Sequence, residues 1–142
     1  MRLILGILMG ATGWAGSASA ADLTLTIDGV RSTKGVVAIC LWSDGRYFPD
    51  CSRSPTAVRR TIPARALGRP IVFADLKPGT FAVSALHDAN NNGRLDTNFL
   101  GIPKEGIAVS NDAMPRFSAP RFAETSFVLN GNATRRITFV YR

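Results

Sequence analysis

Alternation of apolar and polar residues runs along most of the chain and predicts β-strands. Residues 23–28 (LTLTID) show the pattern of a strand with one buried and one solvated face. Residues 35–42 (GVVAICLW) are apolar on both faces, which predicts a central strand. Residues 57–62 are more basic and predict a strand near a sheet edge, where arginines discourage aggregation. Residues 71–76 predict a further strand.

The second half of the chain continues this pattern after residues 77–80 (KPGT), which predict a turn. Residues 81–86 alternate again, and residues 126–129 and 136–141 predict a final hairpin around the turn at 130–132 (NGN). No helical period follows residue 20. Short strands separated by Gly, Pro and Asn turns predict an all-β fold. We expect an antiparallel immunoglobulin-like or transthyretin-like sandwich of about seven strands with one long ordered loop.

The N-terminus has the organisation of a signal peptide. Arg2 precedes an apolar run from Leu3 to Met9, and Ala18-Ser19-Ala20 is a small-residue cleavage site, so we expect residues 1–20 to be removed. The remaining residues 21–142 then form a single domain. The apolar run is too short for a transmembrane anchor, which needs about 20 apolar residues. A soluble periplasmic or secreted protein is expected, and the choice between these two locations stays open.

The formal net charge of +7 raises the question of a nucleic-acid partner. The arginines are scattered in pairs, such as Arg59-Arg60 and Arg135-Arg136, without the interleaved aromatic residues of a base-stacking surface. This pattern argues against nucleic-acid binding and favours a solubilising shell. Contact with anionic envelope or extracellular components is the alternative, and the sequence leaves the oligomeric state open.

The chain has two cysteines, Cys40 and Cys51. They do not form the CxxC motif of thioredoxin-like redox proteins. In an oxidising compartment, the pair predicts a structural disulfide. Two free thiols are the alternative.

Residues 88–112 show no strand or helix period over about twenty-five residues, and loops of that length are usually functional or disordered. Several apolar residues predict that this loop is ordered by packing: Phe99, Leu100, Ile102, Ile107 and Val109. The loop opens with DANNNGRLD at 88–96, which places oxygen-bearing side chains at positions 1, 3, 5 and 9 and glycine at position 6. This is the spacing of an EF-hand calcium loop.

A hard cation needs six to eight oxygens, so this spacing predicts a calcium site. The predicted ligands are Asp88, Asn90, Asn92 and Asp96 through their side chains, Arg94 through its backbone carbonyl, and Glu105. Phe99 replaces the usual bidentate Glu at position 12, so the closing carboxylate must come from Glu105, Asp112 or Asp44. We expect weak affinity, about 10⁻⁴–10⁻³ M. The alternative is an ordinary Asn-Gly turn without metal.

Few features of the sequence favour an enzyme. His87, the one histidine, continues the face of residues 81–85, which favours a structural role. A Ser–His–Asp set drawn from Ser84 or Ser110 with His87 and Asp96 lacks the nucleophile-elbow motif. We therefore expect a non-enzymatic binding or structural module. A small-ligand-binding protein or hydrolase that uses the 87–112 loop as its pocket is the alternative.

A resemblance to a known family rests on four segments: 75–83 (DLKPGTFAV), 87–98 (HDANNNGRLDTN), 101–106 (GIPKEG) and 110–111 (SN). Together they resemble the bacterial exported family known as domain of unknown function 2141. The Leu-x-Pro-Gly turn also recurs in transthyretin-like and carboxypeptidase-regulatory-like sandwiches, so the resemblance implies that fold. It implies no activity. It does imply a shared polar block at His87, Asp88, Asn90, Asn92, Asp96, Glu105, Ser110 and Asn111. Residues 107–109 (IAV) depart from the family's usual Tyr-Gly-Phe.

Overall fold

The computed structural model describes Gly13 and residues 16–142, so the predicted signal peptide lies largely outside the described residues. The described chain forms eight strands: β1 Ala21–Asp28, β2 Val36–Trp42, β3 Val58–Pro63, β4 Ile71–Leu76, β5 Gly79–Asp88, β6 Gly106–Val109, β7 Phe127–Leu129 and β8 Ala133–Thr138. Short 3₁₀ turns lie at Cys51–Arg53, Ala64–Ala66 and Ser110–Asp112, and a single α-helical turn, α1, spans Phe122–Thr125. The predicted all-β fold is confirmed.

The strands form two sheets that enclose one apolar core. The first sheet has the order β4-β1-β8, and the second has the order β3-β2-β5-β6 with β7 beside β5. The alternation predicted for β1 is present, since Leu23 and Leu25 are completely buried and Thr24 and Thr26 are half-buried. The two leucines pack in the core with residues of both sheets, which include Val37, Ile39, Val83, Phe73 and Ile137.

The positions of the inner strands follow the sequence closely. β2 lies between β3 and β5, as its apolar character on both faces predicts, and the basic strand β3 lies at the edge. The outer face of β2 carries a second apolar cluster around Trp42, whose indole N–H donates to Ser84 Oγ at 2.8 Å. Cys40 and Cys51 form a disulfide beside this cluster, as predicted.

The predicted final hairpin is wrong. β7 pairs with β5 in the second sheet, while β8 pairs with β1 in the first, and the segment 130–132 carries the chain between the sheets. The β1–β8 pair is also parallel, whereas the other strand pairs are antiparallel. Asn-Gly sequences favour tight reversals, but a reversal fixes neither the partner nor the sheet of the strand that follows it.

The irregular segment is shorter than predicted. Residues 106–109 form β6, which pairs with β5 and places Gly106 opposite His87. The loop between β5 and β6 therefore covers residues 89–105. Its two ends lie on neighbouring strands, so Asp88 and Glu105 flank the same position of the sheet.

Candidate functional site

Asp88, the last residue of β5, holds the first half of the loop in place. Its side chain is 2 % exposed. One carboxylate oxygen accepts a hydrogen bond from the backbone N–H of Asn92 at 3.0 Å, and the other accepts from Gly93 N–H at 2.7 Å. Gly93 has φ +77°, a conformation that glycine adopts without strain. A carboxylate offers about four acceptor positions, so Asp88 keeps acceptor capacity for another partner.

The Asp96 carboxylate accepts hydrogen bonds from two neighbouring side-chain amides. Asn90 Nδ2 donates to Oδ2 at 2.6 Å, and Asn92 Nδ2 lies 2.9 Å from both carboxylate oxygens. The bonds from Asn92 and then Asn90 lower the pKa of Asp96; desolvation opposes this shift, and the positive charges of Arg94 and Lys104 add to it. The loop thus stabilises a negative charge where the sequence predicted a cation ligand.

Glu105 is the predicted closing carboxylate that the fold brings to this network. Its side chain is 8 % exposed, and its Oε2 accepts from the backbone N–H of Asp96 at 3.0 Å. Its Oε1 is buried and has no hydrogen-bond partner in the described part of the chain. A buried acceptor without a partner costs about 1–3 kcal/mol.

The other two candidates for the closing position have different surroundings. Asp44 accepts from Thr56 Oγ1 at 2.6 Å and from the backbone N–H of Arg46 at 3.0 Å, and lies with both in a separate surface pocket. Asp112 ends the 3₁₀ turn that follows β6. Arg94 contributes its backbone N–H, which donates to Asn92 Oδ1 at 3.0 Å, and the role of its carbonyl stays a prediction.

A cavity of about 320 Å³ lies against this network and is lined by Ala89, Asn90, Asp96, Thr97, Lys104 and Glu105. Among residues 16–142 no group of three His, Cys, Asp or Glu side chains is placed to hold a metal ion by itself. Carboxylates alone therefore do not form a site here. An ion in this loop would also need amide and backbone oxygens, as the EF-hand spacing implies.

The apolar residues of the loop do not order it, contrary to the prediction. Phe99 is 96 % exposed and Leu100 is 69 % exposed, and Ile102 is exposed as well. Only Val109, which belongs to β6, is fully buried, while Ile107 is partly buried. Hydrogen bonds hold the loop instead. The Asn98 side chain accepts from the backbone N–H groups of Leu100 and Ile102 at 2.9 and 3.0 Å.

His87 continues the buried face of residues 81–85 in β5, as the strand alternation predicts. It is buried, with Nδ1 2.7 Å from the hydroxyl of Tyr141 and Nε2 2.9 Å from the carbonyl of Lys34. The carbonyl only accepts, so Nε2 carries the proton and Tyr141 donates to Nδ1. The Tyr141 hydroxyl in turn accepts from Arg31 N–H at 3.1 Å. Both ring nitrogens are therefore engaged in hydrogen bonds within the fold.

The serines of the hydrolase alternative are also engaged elsewhere. Ser84 accepts from Trp42, and Ser110 Oγ donates to the carbonyl of Thr125 at 2.5 Å. In the described chain, His87 makes no hydrogen bond to a serine or a carboxylate. Asn111 donates to the carbonyls of Glu124 and Ser126, so the Ser-Asn pair of the shared polar block anchors the segment around α1.

Comparison with known proteins identifies a family. A family model described as "Uncharacterized protein conserved in bacteria (DUF2141)" matches residues 25–138, which confirms the resemblance seen in the sequence. No curated protein and no solved structure matches the chain. Within residues 16–142, no helix has the length and apolar character needed to cross a bilayer.

Proposed function

The chain belongs to this bacterial family of uncharacterized proteins, and we propose that it is an exported, non-enzymatic binding or structural module whose 88–105 loop binds one calcium ion. The observation that carries the proposal is the buried Oε1 of Glu105, which has no hydrogen-bond partner among residues 16–142 and belongs to the carboxylate that contacts Asp96. A cation between these carboxylates would remove the cost of that unpaired oxygen.

The donor set favours calcium among the metals. The loop offers carboxylate and amide oxygens and contains neither histidine nor cysteine, and such oxygens suit hard cations. Magnesium demands near-ideal octahedral geometry, whereas calcium accepts six to eight oxygens in irregular arrangements. An irregular loop with a glycine bend at Gly93 fits the less demanding ion.

Ion binding requires two side-chain amides to turn. The Nδ2 groups of Asn90 and Asn92 now point at Asp96. The nitrogen and oxygen of an amide are related by a half rotation, so a turn of each amide would direct its oxygen to the same region. The hydrogen bonds lost by Asp96 would be replaced by its contact with the ion. The turns would also give up the bonds that Asn90 Oδ1 and Asn92 Oδ1 accept from the backbone N–H groups of Asn92 and Arg94, at 3.3 and 3.0 Å, so these N–H groups must find other acceptors. Because two of the predicted ligands are neutral amides, we expect a Kd of about 10⁻⁴–10⁻³ M.

Export is part of the proposal. The Cys40–Cys51 disulfide is compatible with an oxidising compartment, where such bonds persist. The N-terminal signal-peptide pattern supports the same location. A weak calcium site suits a periplasmic or secreted protein, because modules outside the cell work at millimolar calcium.

Thermal unfolding with calcium and with chelator tests the site. At about 1 mM calcium and a Kd of about 0.1 mM, linkage stabilises the folded chain by about 1.4 kcal/mol, which raises Tm by several degrees. Asp96→Asn should remove this rise. Asp44→Asn is the matched control, because Asp44 is another carboxylate with two hydrogen bonds, outside the loop. Equal Tm values with calcium and chelator, or equal losses in both variants, would contradict the proposal.

A further inference from the structure

The tip of the loop carries apolar side chains away from the protein. Phe99 is 96 % exposed and Leu100 69 % exposed, and Leu95 and Ile102 lie exposed on either side of them in the chain. Single exposed apolar residues are common on protein surfaces, but contiguous ones mark interaction sites. A side chain exposed as fully as Phe99 has almost no protein neighbour, so the tip projects into its surroundings.

The tip is held in this shape by its own backbone. Asn98 N–H donates to the carbonyl of Ile102 at 2.9 Å, and Gly101 N–H donates to the carbonyl of Asn98 at 3.0 Å. Gly101 has φ +77°, which allows the tight reversal. Below the tip, Lys104 N–H donates to the Asp96 carbonyl at 2.8 Å. The exposed pair is therefore presented by a short hydrogen-bonded hairpin that starts at the candidate ion site.

The charges around the tip depend on the ion. Residues 88–105 contain three carboxylates, Asp88, Asp96 and Glu105, and two cationic side chains, Arg94 and Lys104. The segment is thus negative by one charge when empty and positive by one charge with a divalent cation bound. The formal charge of the full chain is +7, which becomes 7 − 1 = +6 when the predicted signal peptide with Arg2 is removed. An anionic surface would meet a local negative charge at the empty loop and complementary charge at the loaded one.

We propose that the calcium-loaded loop docks the protein on an anionic phospholipid bilayer, with Phe99 and Leu100 inserted between the headgroups. The inference rests on the proposed calcium site. The loop that carries the exposed Phe99 and Leu100 also carries two cationic side chains, Arg94 and Lys104. Cationic side chains near the surface are attracted by anionic lipids, and the apolar pair gains by leaving water.

Vesicle co-sedimentation tests the docking. The protein is purified after export, its N-terminus is determined by mass spectrometry, and it is mixed with vesicles of equal parts phosphatidylcholine and phosphatidylglycerol, with calcium or with chelator. We expect binding in calcium and little in chelator. The double variant Phe99→Ser/Leu100→Ser should weaken binding about tenfold or more, since two apolar side chains no longer leave water. It should keep the calcium-induced rise in Tm.

Phe117→Ser is the matched control, because Phe117 is 93 % exposed but lies outside the loop. It should leave vesicle binding unchanged. A rise in Tm with calcium but no vesicle binding would overturn the docking alone, whereas absence of the rise would overturn the calcium site and the docking with it. Equal binding in chelator, undiminished binding of the double variant, or an equal loss in Phe117→Ser would each overturn the docking. Docking on a bilayer would also be overturned if the natural chain bound a protein partner through Phe99 and Leu100 and did not bind vesicles.

Discussion

Glu105 Oε2 accepts a hydrogen bond of 3.0 Å from the backbone N–H of Asp96, and this contact closes the polar loop against the start of β6. Asp88 anchors the other end of the loop at the last position of β5. Because Gly106 of β6 lies opposite His87 of β5, the carboxylates of Asp88 and Glu105 lie at adjacent strand ends. The sheet itself, through the β5–β6 pairing, brings together acidic residues that are far apart in the sequence.

Glu105→Gln should separate ion binding from folding. Glutamine keeps an oxygen that can accept from Asp96 N–H, and it removes the negative charge of a carboxylate whose second oxygen is buried with no partner in the described chain. In chelator the free energy of unfolding should stay about unchanged, because an unpaired buried amide group replaces an unpaired buried carboxylate oxygen. In calcium the increment of about 1.4 kcal/mol should vanish. Urea unfolding in both buffers measures the two values, and an equal loss of stability in both would identify Glu105 as a purely structural residue.

The Asp96 network should make stability depend on pH. Hydrogen bonds from Asn92 and Asn90 lower the folded-state pKa of Asp96 below 3.8, so its contribution is present above that value and is lost as pH falls through the folded pKa. In chelator, Asp96→Asn should therefore lower stability at neutral pH. The difference from the natural chain should disappear at pH values well below 3.8. Urea unfolding across this range checks the sign; a difference that grows on acidification would contradict it.

Tyr141→Phe should destabilise the fold by about 1–2 kcal/mol, because it leaves buried His87 Nδ1 without its donor. It also removes the acceptor for Arg31 N–H. Tyr47→Phe is the control, because the Tyr47 hydroxyl makes no hydrogen bond within residues 16–142, and it should change stability by less than about 0.5 kcal/mol. Denaturant unfolding compares the two, and similar values would show that the His87–Tyr141 bond contributes nothing.

The disulfide should stabilise the fold through the unfolded chain. Cys40 and Cys51 are separated by 11 positions in the sequence, and closing a loop of that length restricts the unfolded ensemble. The double variant Cys40→Ala/Cys51→Ala should lower the free energy of unfolding by about 2–3 kcal/mol. Urea unfolding of the variant beside the natural chain, without reductant, measures this. An unchanged free energy of unfolding would show that the cross-link does not stabilise the fold by restricting the unfolded chain.

The sequence predicts those parts of the fold in which burial alternates strictly. Leu23 and Leu25 face the core because a strand has a period of two, and the apolar run of β2 requires cover on both faces. The arginines of β3 predict its edge position, because charged side chains on an edge strand discourage aggregation. The alternation within a strand does not reveal which distant strand it pairs with. Nothing in residues 126–141 reveals that β7 joins β5 and that β8 joins β1 in parallel.

The candidate site shows a similar division. The spacing of Asp88, Asn90, Asn92 and Asp96 predicted a shared neighbourhood, and hydrogen bonds do connect these residues. The sequence missed β6, because four residues are too few to show a period, and so it left Glu105 as one of three closing candidates. It also wrongly placed Phe99 against the core. An apolar side chain in a loop carries no period that reveals its direction.

A calcium titration followed by two-dimensional amide NMR tests the proposed site most directly. The amide signals of Asn92, Gly93 and Asp96, whose N–H groups contact the Asp88 and Glu105 carboxylates, should shift in a saturable way with a midpoint of about 10⁻⁴–10⁻³ M. Signals from β1 and β4, which lie in the other sheet, should stay in place. Loop signals that do not move up to about 10 mM calcium, or shifts spread evenly over both sheets, would contradict a calcium site in this loop.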